Sequence, residues 1–193
     1  MGRLRMDANI AIAQARGLRR VAADLDRVLD DYLKGDRIPA DDNDARFPAE
    51  EFLGSMLAAP VVRALAAELA LKAISIKTTG DHKRGHDLLK LFDALDQKTQ
   101  LAIEQKRQGV VERIVRGSVR SILAKHKDDF TASRYVGELP PDSKPTFAYG
   151  VDLDVALQDL IAVFEELPTT AREARSASGR TQVDRRRDGP LAG

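Results

Sequence analysis

Between Ala64 and Ile76 the chain carries only three polar side chains, Glu68, Lys72 and Ser75, set at i, i+4 and i+7. That spacing gathers them into one narrow stripe on a helix whose remaining surface is apolar. A helix with so little polar surface belongs in the middle of a bundle. Glu68 ahead of Lys72 has the favourable order for an i, i+4 ion pair, worth ~0.3–0.5 kcal/mol on an exposed face. The pair acquires a different weight if the stripe faces neighbouring helices.

The same reading extends along the chain. Leu18, Val21, Leu25, Val28 and Tyr32 recur in a- and d-like phase, predicting a first helix over Ala8–Lys34 with Arg20/Asp24 and Arg27/Asp31 at i, i+4 and Gly35 at its end. The stretch GDRIPADDNDARFPAE, with two prolines and the acidic run Asp41–Asp44, reads as a loop. The central helix is expected from Pro48 or Pro60 to Lys77. Pro60 is placed in a first turn, where its missing N–H costs little, and EEFLGSMLA before it as a short separate helix. After Gly80 a helix is expected to start at His86 or Asp87 and run to Arg107, burying Leu88, Leu91, Phe92 and Leu95. A fourth is expected from Gly109 to Lys127. GELPPDSKPTFAYG is a further loop, and Asp152 opens a last helix, with Val155, Leu157, Leu160, Ile161 and Phe164 on its apolar face and Pro168 as its stop.

Composition narrows the picture to an all-α protein. At 193 residues, with charged residues at 32%, aromatics at 5% and no Trp, the chain suits one domain over residues 1–167. Residues 168–193 carry six arginines against three acids and almost no large apolar side chain, so they are expected to form a disordered Arg-rich tail. With no cysteine there is neither a disulfide nor thiol chemistry, and a reducing cytoplasm fits. MGRLRMDANIAIAQARG lacks the apolar core of a signal peptide, and no window reaches the ~18 apolar residues of a membrane span. The net charge of +1 means that attraction to RNA must come from local clusters.

Two such clusters stand out. On one continuous helix, Arg113, Arg116, Arg120 and Lys127 fall together on the side away from Val111, Ile114, Val115, Ser118 and Ile122, and could meet successive phosphates. No aromatic residue interleaves with them, so base stacking is not supported. Lys83 and Arg84 flank the start of the third helix, where an anion could be held. His82 and His86 with Asp81 and Asp87 have the residue types of a metal site, but Lys83 and Arg84 beside them make a poor cation cage, and no metal or cofactor is expected. TTGDHKRG follows a helix and lacks the order of a phosphate-binding loop.

Three segments together, ELALKA at Glu68–Ala73, GHDLLKLFDAL at Gly85–Leu95 and HKDDFTASRYVGE at His126–Glu138, resemble the HEPN family, named for higher eukaryotes and prokaryotes nucleotide-binding. The resemblance implies an antiparallel bundle of four to five main helices that often dimerises. It also implies prokaryotic settings such as toxin–antitoxin, abortive infection and other RNA-targeting systems, with RNA and a protein partner or antitoxin as partners. In these terms Glu68, Lys72, His86, Asp87, Arg134, Tyr135 and Glu138 form a structural family motif. Arg134 and Glu138 are spaced to pair at i, i+4, with Tyr135 against the bundle.

Catalytic HEPN members resemble metal-independent endoribonucleases with an Arg, four to six residues, then a His. Arg120 to His126 is the one match, with Ser121 as the polar residue after the Arg. The resemblance implies that His126 moves a proton to or from the ribose, that Arg120 stabilises the phosphate and that Ser121 donates a bond to it. Arg120 and His126 lie ~120° apart on a straight helix, so their convergence would need a dimer, a widened groove or a local break. Three readings remain open: an RNA-related or regulatory binding module in stress or defence, an endoribonuclease, and a partner-binding dimeric bundle using Asp41–Asp44 or the arginine tail.

Overall fold

The computed structural model describes residues 6–34, 46–108, 117–127 and 150–168, with side chains 46–51 and 108 left aside. The protein is all-helical, and among the described residues six helices occur: α1 (Ala8–Leu33), α2 (Arg46–Thr79), α3 (Leu88–Asp93), α4 (Gln97–Gln108), α5 (Val119–Lys125) and α6 (Val151–Glu166). Asp7 starts α1 by accepting the Asn9 and Ile10 amides at 2.8 and 3.2 Å. Arg63 of α2 bonds Asp26 of α1, and Tyr32 meets Phe52 edge-on at 5.6 Å, so α1 and α2 lie antiparallel.

The seam of α1 follows the expected Leu18, Val21, Leu25, Val28 and Tyr32 only in part: Leu18 packs against the core and Tyr32 against Phe52. Its buried positions are Ala8, Ala11, Ile12, Ala15, Ala22 and Leu29, and Val21 is an exposed apolar residue. Alanines also dominate the buried positions of α2, at Ala59, Ala64, Ala66, Ala67, Ala70 and Ala73. Small side chains on both partners place the seam where two helices approach closest, rather than where the largest side chains lie.

α2 is one continuous helix of 34 residues with Pro60 inside it, not a short helix followed by a central one. A proline here forfeits one backbone hydrogen bond. Tyr32–Phe52 and Asp26–Arg63 bind α1 on both sides of that position, and this tertiary support carries the helix through.

The next two expected helices each resolve differently. The segment 87–107 is two helices, because Asp96 caps α4 by accepting the Thr99 amide at 3.0 Å while the Gln100 amide group donates to Leu95 O at 2.8 Å and closes α3. The segment 109–127 is not one helix either: Gly117 takes φ +115° and Ser118 caps a new helix, its Oγ accepting the Ser121 amide at 3.1 Å. Arg113 and Arg116 lie outside the described residues.

α6 packs against α1, α2, α4 and α5. Arg63 and Lys77 of α2 meet Gly150 and Phe164 respectively, so α2 and α6 run parallel. Leu71, Ile74, Leu88, Phe92, Ile103, Val119, Leu123, Leu153, Leu157 and Leu160 are the large side chains at the centre of the shared core. Among the described residues no helix is long and apolar enough to cross a membrane.

Candidate functional site

The polar stripe of α2 becomes the support for the turn that follows it. Glu68 is buried, with 4% of its side chain exposed, and its carboxylate accepts from Lys72 Nζ at 2.6 Å through Oε1 and from His86 Nδ1 at 2.9 Å through Oε2. Lower on the same stripe, Ser75 Oγ and Thr79 Oγ1 donate to Asp81 O at 2.8 and 3.0 Å. One stripe therefore grips both ends of the Gly80–Asp87 turn. Gly80 and Gly85 have φ of +80° and +116°, conformations that favour glycine. Asp87 then caps α3 through the Lys90 amide at 3.0 Å.

Lys83 and Arg84 stand exposed on this braced turn, and among the described residues neither has a carboxylate partner. Their setting contrasts with Lys72, Lys90, Lys106, Lys125, Arg107 and Arg120, each of which faces an acid. His86 turns to Glu68, while His82 Nδ1 lies 3.9 Å from Asp81.

Arg120 and His126 face different neighbours, α3 and α6 respectively. Arg120 Nε and Nη2 donate to Asp93 Oδ1 and Oδ2 of α3 at 2.9 and 3.0 Å. The Asp93 hydrogen bonds and then its charge push the Arg120 guanidinium further up from its ordinary value. His126, 1% exposed at the C-cap of α5, bonds Asp152 Oδ1 of α6 through Nε2 at 2.9 Å, and Lys125 Nζ donates to Asp152 Oδ2 at 2.7 Å. Burial raises the Asp152 carboxyl, but the Lys125 and His126 hydrogen bonds outweigh it and hold the group below the usual carboxylate range. A carboxylate accepts only, so His126 Nε2 carries the hydrogen. Ser121 Oγ donates to Ser118 O at 2.8 Å.

α3 and α5 run antiparallel, because Arg120 at the start of α5 meets Asp93 at the end of α3 and Lys127 beyond α5 lies near Asp87 before α3. The Asp87 carboxyl is held down first by the Lys90 amide and then, against slight desolvation, by the charges of Lys90 and Lys127. Lys90 and Lys127 thus both face Asp87, the residue that follows the turn carrying Lys83 and Arg84.

Sequence reasoning anticipated the Glu68–Lys72 pair and the residues of the turn. It did not anticipate Asp93, Glu104 or Asp152, which reach their partners across 27, 16 and 26 residues of chain. No local pattern marks them. Arg134, Tyr135 and Glu138 lie outside the described residues.

No curated protein and no solved structure matches the chain. The family model of the HEPN domain matches residues 63–145, the stretch that holds the Glu68–Lys72–His86 brace, α3 to α5 and the Arg120–His126 spacing.

Proposed function

We propose that this HEPN-domain chain is a cytoplasmic RNA-related binding module, used in a stress or defence setting, that meets backbone phosphates at the turn between α2 and α3. The observation that carries this reading is the uncompensated pair Lys83 and Arg84 on a turn braced at both ends by α2. Phosphate contacts of this kind position a nucleic acid without reading its sequence and fall off with salt. Fluorescence anisotropy of a labelled single-stranded RNA, between about 50 and about 200 mM salt, tests it. The double substitution Lys83→Ala, Arg84→Ala should weaken binding and reduce the salt slope by about 1.4, two phosphates' worth for a single strand. An unchanged slope and affinity would remove the turn from the contact.

A second reading, a metal-independent endoribonuclease using Arg120 and His126, rests on the Asp152–His126 pair. A carboxylate bonded to one imidazole nitrogen orients the ring as a general base or acid is oriented. Chemistry would require Arg120 to exchange Asp93 for a phosphate. Cleavage of a labelled mixed RNA in EDTA, abolished in both Arg120→Ala and His126→Ala proteins shown to be folded, would support it. Intact RNA after incubation with the wild type leaves the binding module.

A further inference from the structure

The Arg120–Asp93 pair has the geometry of a phosphate clamp already in use. Two parallel bonds, at 2.9 and 3.0 Å, run from one planar guanidinium edge to the two oxygens of one acceptor. A guanidinium takes two non-bridging phosphate oxygens in the same way. The partners are 56% and 40% exposed, so an anion from solution can exchange with the carboxylate without opening the core.

The stem beneath the guanidinium is fixed. Glu104 of α4 accepts the Val119 and Arg120 amides at 2.9 and 2.8 Å, and Ser118 caps the same turn. Asp93 lies on α3 one turn beyond Lys90, itself paired with Asp87 at 3.0 Å, and Lys127 lies near Asp87 at the other end of α5. A freed Arg120 would therefore add a cation to the α3–α5 pair, which the turn of Lys83 and Arg84 leads into.

We propose that Asp93 occupies the phosphate-binding fork of Arg120 and keeps it closed, an autoinhibitory contact that a backbone phosphate of RNA displaces. The identity of the displacing ligand rests on the RNA-binding reading above; the closed fork does not. Asp93 is a masking residue in this scheme, and its removal is a gain of function.

Asp93→Asn keeps the size and removes the charge at an exposed position. It should bind single-stranded RNA several-fold more tightly, with a salt slope steeper by about 0.7, one further phosphate. Adding Arg120→Ala should abolish that gain. A gain that persists in the double variant reports only the loss of a negative charge and overturns the proposal, as does no gain at all. A second readout, the 1H–15N signal of Arg120 Nε in the full chain, follows titration with inorganic phosphate. The signal should move at lower phosphate in Asp93→Asn than in the wild type, and equal responses overturn the closed fork. If it responds as expected while no variant binds RNA, the fork stands and the RNA reading fails. If RNA binds through Lys83 and Arg84 with no dependence on Arg120 or Asp93, the reading stands and the fork fails.

Discussion

Lys77 Nζ donates to the Phe164 carbonyl oxygen at 2.8 Å and stands 4.2 Å above the centre of that residue's ring. The carbonyl belongs to the last turn of α6, where four acceptors lack helical partners and the helix dipole favours a cation. One buried lysine thus joins the ends of α2 and α6. Lys77→Met keeps the stem and removes the ammonium, and should cost about 2–3 kcal/mol in urea unfolding. Arg27→Ala, which breaks an exposed pair with Asp24, should cost less than about 0.5 kcal/mol.

Glu68→Ala strands Lys72 in the interior, and the loss of one partner of a buried pair should cost about 3–5 kcal/mol. Replacing both, Glu68→Leu with Lys72→Met, should recover most of that loss, because a packed apolar pair can stand in for a buried ionic one. The recovered fold would still lack the acceptor for His86 Nδ1. Hydrogen exchange should therefore show the amides of residues 81–86 opening faster in the double variant while α2 stays protected. Slow exchange across the turn would show that Glu68 does not brace it.

Two glycines are held by their neighbours. A Cβ at Gly150 would strike the guanidinium of Arg63 and approach its Cδ to 3.0 Å, and Arg63 is buried and tied to Asp26. At Gly117 a Cβ would lie 2.7 Å from Ser121 Oγ on a backbone with φ +115°. Gly150→Ala and Gly117→Ala should each cost about 1–3 kcal/mol by thermal or urea unfolding. Gly17→Ala, with open space around the new methyl group and a helical backbone, should be neutral or stabilising by up to about 1 kcal/mol.

Stability should depend on pH in two opposed ways. Asp152 is held below its ordinary value when folded, so its contribution is present above the unfolded value and is lost as pH falls through the folded one. Asp159 behaves oppositely: burial, set against the charge of Arg107 and reinforced by Glu104, pushes its carboxyl up. In the window between its unfolded and folded values the native state binds more protons, so stability falls as pH rises. Urea midpoints measured from acid to neutral pH should lose part of the acid limb in Asp152→Asn and part of the opposing decline in Asp159→Asn. A profile unchanged by either substitution would show that these carboxyls titrate alike in both states.

Local pattern carried much of the secondary structure because its causes are local. Asp7 and Asp87 cap helices by bonding amides within three residues, and Gly80 ends α2. The breaks at Asp96 and at Gly117–Ser118 had local signals too, an Asp three residues before Thr99 and a Gly-Ser pair, but the surrounding apolar spacing suggested continuous helices. Pro60 misled for the reverse reason. Its intrinsic cost is local, whereas the support that carries α2 past it comes from α1.

By itself, the sequence determined an all-helical chain and the polar stripe on α2 with its Glu68–Lys72 pair. These follow from periodicity, capping and composition, which act over a few residues. Only the tertiary structure decided what each charge faces: Asp93 on Arg120, Asp152 on His126, Glu104 on the first turn of α5, and nothing acidic on Lys83 or Arg84 among the described residues. The physical reason is that an ion pair needs only that two side chains meet, and in a bundle that meeting is set by how helices cross rather than by how far apart the residues stand in the chain.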